Sequence, residues 1–140
     1  TMAATYTKFQ PFAEHVYEKV HNLGSDQLVV ALCASANAPV NTNAVLGDLT
    51  VISYTNLSSR NLTTSSSAQS SGTYKLVISD LTLTASGGSV AAFRYIVIYN
   101  DTAASDQLIC FFDYGSSLTL ADGESLTLDF DGTNGLLQHV

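Results

Sequence analysis

The stretch Ala92–Asp113, AFRYIVIYNDTAASDQLICFFD, constrains this chain more than any other. It holds two apolar runs, Phe93–Tyr99 and Leu108–Phe112, separated by the polar residues Asn100-Asp101-Thr102 and Ser105-Asp106. In an extended strand Phe93, Tyr95, Val97 and Tyr99 face one way while Ile96 and Ile98 face the other. Both faces are therefore apolar, which is the signature of a strand covered on both sides. The stretch predicts the innermost hairpin of a β-rich domain, with the rest of the chain laid around it.

At 140 residues the chain fits a single domain spanning 1–140, with a core that needs no disulfide or metal to hold it. Only 12% of residues are charged, and serine and threonine fill the polar positions instead. That composition suits short strands with a neutral, hydroxyl-bearing exterior. The net charge is −7, and the cations Lys8, Lys19, Arg60, Lys75 and Arg94 do not cluster. Nucleic acid and anionic membrane surfaces both need a cationic footprint, so neither is an expected partner. Cys33 and Cys110 lie inside apolar runs at a spacing that fits no zinc or redox motif, and they read as two buried small hydrophobes; a disulfide between them stays open. No apolar run reaches the length of a membrane-spanning helix, and the N-terminus lacks the regions of a signal peptide. The expected native start is Met2 or Ala3, with the product kept in a cytoplasm until assembly.

One helix is expected, at about 9–23. Within Thr7–Leu23, Phe9, Phe12, Val16, Val20 and Leu23 recur at three- and four-residue steps, Pro11 suits a first turn and Gly24 a stop. Leu28–Cys33 reads as a buried strand, and Ala34–Gly47, with Pro39, as a long loop. Leu49–Ile52 reads as a short strand. Ser53–Gly72 is expected to give an ordered edge strand and then a surface loop at about 58–72. Along Thr73–Ser86 the inward parity shifts by one at Ser79-Asp80, which predicts a bulge or a break into two strands. Gly87-Gly88 marks a turn, Leu126, Leu128 and Phe130 alternate with polar residues after the turn Ala121–Glu124, and Leu136–His139 closes the chain. About eight short strands without βαβ alternation or internal repeat predict a mainly β fold: an antiparallel sandwich or barrel, jelly-roll-like, with one N-terminal helix.

The candidates for chemistry are few. His15 and His21, six apart, do not share a helical face and read as solvent-facing helix residues; His139 reads as a surface residue. Tyr114-Gly115-Ser116-Ser117 lacks the spacing of a nucleophile elbow, and its glycine reads as a turn between strands. No catalytic residue and no cofactor is expected. Asp129, Asp131 and Asn134 surround a glycine turn and form a candidate Ca²⁺ site, although the spacing is not that of an EF-hand. The competing reading is a strand end with Asp129 outward, followed by a hairpin turn. The sequons at Asn56, Asn61 and Asn100 carry little meaning in a Ser/Thr-rich chain without a secretion signal.

Three segments carry a resemblance: FRYIVIYNDTA from Phe93 to Ala103, Asp113-Tyr114-Gly115-Ser116-Ser117, and the ending LADGESLTLDFDGTNGLL. With the N-terminal FAEHVYEKVHNLGSDQLVVAL, the chain resembles small virion structural proteins of tailed bacteriophages. The resemblance implies a non-enzymatic particle component, and within that class a capsid decoration, or cement, protein. The implied partners are the major capsid protein and copies of the chain itself, as a homotrimer, and the implied location is the virion. Two alternatives stay open: a tail-associated tube, collar or fibre-adaptor subunit, and a carbohydrate-binding β-sandwich using Tyr54, Tyr114 and Asp113.

Overall fold

The computed structural model describes residues 4–140. Nine strands and one α-helix follow in the order β1 (Thr5–Lys8), α1 (Pro11–Tyr17), β2 (Leu28–Cys33), β3 (Thr64–Ser70), β4 (Thr73–Ile78), β5 (Leu81–Thr84), β6 (Phe93–Asn100), β7 (Leu108–Leu118), β8 (Ser125–Leu128) and β9 (Leu137–His139). The fold is mainly β and every strand pair is antiparallel. The strands form sheets ordered β1-β7-β6-β2, β3-β4-β9 and β5-β8, and none of them closes into a barrel. No helix among the described residues is long and apolar enough to cross a membrane.

The β6–β7 hairpin lies at the centre of the four-stranded sheet, and both of its faces are buried as the apolar pattern requires. One face, with Val30, Leu32, Ile96, Ile98 and Cys110, packs against Leu76, Ile78, Leu83 and Leu128 of the smaller sheets and against Phe12 of α1. The other face, with Val29, Ala31, Tyr95, Val97, Tyr99 and Phe111, is closed by Phe9, Leu46 and Leu49. Phe93 departs from its expected side. The register jumps from Phe93↔Leu118 to Tyr95↔Asp113, so β7 bulges across Tyr114–Ser117 and Phe93 turns into the face that holds Ile96. Gly115, at φ 93°, makes that bulge possible, because L side chains rarely adopt this backbone. It therefore serves a bulge inside β7, not a turn between strands.

The expected helix is much shorter than 9–23. Thr5–Lys8 forms a ladder with Cys110–Asp113, and Phe9 continues it with its N–H on the Ile109 carbonyl. At the other end the Lys19 N–H bonds the Val16 carbonyl and the Val20 N–H the His15 carbonyl, with Lys19 at φ 70°. This is a Schellman stop, usually built on glycine, so the apolar period continued through a terminator that the sequence disguised.

Both segments expected as loops are held to the body, and the second of them contains a strand. Residues 34–47 contain a 3₁₀ turn, Ser35–Asn37, and are tied down where Gln10 donates to Asn41 and Leu108 to Ala44. Leu49–Ile52 is irregular, and Leu46–Asp48 is a second 3₁₀ turn. The segment 57–63 runs as a seam between sheets: Ser58 donates to Thr84, Val30 to Arg60, Leu62 to Leu28 and Ser79 to Thr63. The second half of the expected 58–72 loop is β3 itself, so the edge strand comes after the irregular stretch and not before it. The break at Ser79-Asp80 is real: it separates β4 from β5, which join different sheets.

Cys33 and Cys110 are free and fully buried on opposite faces of the four-stranded sheet. Antiparallel partners share a face, and Cys33 pairs with Tyr95 while Cys110 pairs with Ile98. The sheet therefore separates the thiols.

Candidate functional site

An open groove of about 680 Å³ runs between the residues after α1 and the ends of β3, β4 and β9. Lys19, His21, Asn22 and Asp26 line one side, Ser67, Tyr74 and His139 the other, and Thr102 and Ala103 of the β6–β7 connection close the end. The Schellman stop creates it by turning the chain back, which places His21 beside the helix it follows. His15 and His21 consequently lie ring to ring at 6.1 Å, and His21 is only 9% exposed. The expectation of two solvent-facing histidines on one helix is thus overturned for His21. His139 is exposed as expected, with its Nε2 3.3 Å from the Tyr17 hydroxyl.

Asn100 organises the groove floor. Fully buried at the end of β6, it accepts the backbone N–H of Thr102 at 3.0 Å and of Ala103 at 3.2 Å on Oδ1. Those bonds fix the amide orientation, so Nδ2 donates to Asp26 Oδ2 at 2.6 Å and to His21 Nδ1 at 2.9 Å. Asp26 Oδ2 also accepts the Asn22 N–H at 2.8 Å. Nδ1 of His21 is therefore the acceptor and Nε2 carries the proton. Desolvation, with neighbouring His15 adding to it and Asp26 opposing it, lowers the His21 pKa to about 4. The basic nitrogen of this neutral imidazole is occupied by Asn100, so the network positions the β6–β7 connection and not a proton in transit. On the opposite wall the Ser67 and Tyr74 hydroxyls bond each other at 2.7 Å.

The other candidates lie elsewhere. Asp129 is exposed just beyond β8. Asp131 Oδ1 accepts the N–H of Thr133 at 2.9 Å and of Asn134 at 2.8 Å, and Asn134 Nδ2 donates to Asp131 Oδ2 at 2.9 Å. These bonds hold the Asp131 carboxyl below the usual carboxylate range and make the segment an Asx turn. The turn joins β8 to β9, which belong to different sheets, so the expected hairpin is not formed. Among the described residues no group of three or more His, Cys, Asp or Glu is placed to hold a metal ion.

The three residues named for carbohydrate contact are not brought together. The Tyr54 hydroxyl accepts the Leu32 N–H of β2 at 3.2 Å while its ring lies 3.7 Å beneath the Arg60 guanidinium. Asp113 and Tyr114 lie on β7, with β6 between them and β2. Both Asp113 oxygens are engaged by Arg94, at 2.8 and 3.1 Å.

A second surface was only partly visible in the sequence. On the β5–β8 pair the hydroxyls bond across strands, Thr82 to Thr127 at 3.0 Å and Thr84 to Ser125 at 2.8 Å. With β3, whose TSSSAQS sequence carries no charge, these strands present a neutral hydroxyl exterior. The alternation of threonine with leucine was its signal. The pairing of β5 with β8, more than forty residues apart, had none. Compared with protein-family models, curated proteins and solved structures, the chain matches none of them.

Proposed function

We propose that this chain is a non-enzymatic structural subunit of a tailed-phage particle, of the capsid decoration type. The observation that carries the reading is the neutral hydroxyl exterior of β3 and the β5–β8 pair, mounted on a core buried on both faces of its central sheet. Such a surface can pack closely on a partner without desolvating charges, the costly part of burying a polar face. The segments that resemble virion proteins fall on β6, on the β7 bulge and on the run through β8 to β9, where they set strand pairing. Two cations are already engaged internally, Arg94 with Asp113 and Arg60 over Tyr54, which suits a protein partner better than nucleic acid.

In this reading the subunit works by linkage. It binds the assembled, expanded shell formed by the major capsid protein, and its copies associate as a homotrimer around the meeting points of shell subunits. Binding energy that exists only in the mature lattice opposes rupture by the packaged genome. Because 34–47 and 57–63 are tied to the body, the contacts fall to the β3–β4 hairpin and the hydroxyl-bearing strands. Reconstruction of the particle tests the location: density for this fold on the outer shell supports the reading, and density confined to the tail overturns it.

A further inference from the structure

We propose that two copies of this chain pair through β3, edge to edge and antiparallel, so that two β9-β4-β3 sheets become one six-stranded sheet. β3 has seven residues and a neighbour on one side only. The backbone geometry shows which of its groups are open. Ser71 and Gly72, at φ 51° and 85°, form a two-residue turn, so Ser70 and Thr73 are a hydrogen-bonded pair. Bonding then alternates, and Gln69↔Tyr74 and Ser67↔Leu76 are pairs that exchange no backbone bonds. The Leu76 carbonyl agrees, since it turns away from β3 to accept the Leu136 N–H at 2.7 Å. The N–H and C=O of Ser67 and Gln69 therefore point out of the open edge.

The other strand edges are covered or guarded: β2 is met by Arg60 and Leu62, and β5 by Ser58. β1 ends in Lys8, β8 has four residues between Glu124 and Asp129, and β9 has three residues. β3 has no charge and no proline, and Ala68 and Gln69 are exposed, while the partly buried Ser67 lines the groove shared with Asn22, Leu23 and Gly24. In a chain with net charge −7 β3 is an uncharged strip where two copies can meet without repulsion.

A second copy is the occupant that the register fits. A two-fold axis at Ala68 sets Ser67 against Gln69 of the other copy and Gln69 against its Ser67, which uses all four outward N–H and C=O pairs. Ala68 then faces its own counterpart in a pair without backbone bonds, where Cα atoms are about 4.5 Å apart. The contact is two-fold, so it links copies in pairs, and where the copies also form trimers it joins one trimer to another. It does not depend on the virion reading.

The test is the mass of the purified protein at tens of micromolar, with two variants. Wild type should run as a species with paired copies. Ala68→Lys sets two like charges face to face between the copies, beside a like-charge pair with Lys75 within each copy, and should weaken the association at least tenfold while each copy stays folded by circular dichroism. Ala68→Cys should form a disulfide-linked dimer under mild oxidation, because the Cα spacing suits the bond and both native thiols are buried. A monomeric wild type, an Ala68→Lys variant that associates as before, or no crosslink from Ala68→Cys would each overturn the pairing. Because the assay contains no capsid, its failure is separate from failure of the decoration reading.

Discussion

The Asn100 carboxamide, fully buried, donates to His21 Nδ1 at 2.9 Å across 79 positions of sequence. This contact joins the end of the central strand to the chain that turns back from the helix, and it leaves His21 neutral in the folded protein. Unfolded, the imidazole takes its proton near pH 6.5; folded, near 4. The unfolded state therefore binds the proton first as pH falls. The stability held by neutral His21 is whole above about pH 6.5 and is lost progressively toward pH 4, by on the order of 2 kcal/mol. Urea unfolding at pH 7.5 and pH 4.5 should show this loss in wild type. His21→Gln, which keeps an amide acceptor for Asn100 but does not titrate, should show a shallower dependence. Equal slopes would contradict the buried neutral histidine.

Two glycines with similar backbones should respond differently to alanine. At Gly135, φ 80°, an added Cβ would lie 2.5 Å from the Leu76 carbonyl oxygen, on backbone that cannot move without disturbing β4 and β9. At Gly123, φ 86°, it would meet nothing within 4 Å. Gly123→Ala should cost about 1 kcal/mol from the left-handed backbone alone, and Gly135→Ala roughly 3 kcal/mol or more. Chemical denaturation of both variants checks the difference.

The thiols should be inert in the folded protein. Burial pushes Cys33 up to about 11 and Cys110 higher still, so neither offers a thiolate near neutral pH. A thiol reagent at pH 8 should label neither cysteine in native protein and both after unfolding, with no change of mobility on reduction. A native disulfide would contradict their placement on opposite faces of the sheet.

The hairpin around Ala92–Asp113 was legible because Ile96 and Ile98 alternate with Tyr95, Val97 and Tyr99, a pattern that only a sheet covered on both faces buries. The break at Ser79-Asp80 was legible for a similar reason, since a change of inward parity cannot be accommodated within one flat strand. The helix end was hidden because Lys19 occupies the position where glycine usually signals a stop, and Gly24 offered a more conspicuous one. That error concealed the groove, because His21 meets Asn100 only if the chain turns back at Lys19. The partners of β1 and β8 had no local signal, as pairing between distant segments depends on the whole core rather than on either segment. β3 was displaced by a few residues, because a serine-rich strand and a serine-rich loop differ only in which backbone groups find partners.

The most direct test of the functional account is addition of the purified protein to expanded capsids that lack it, followed by thermal rupture. The account predicts saturable binding to expanded but not unexpanded shells and a higher rupture temperature on decoration. No binding to capsids, together with co-purification of the protein with tails, would contradict it.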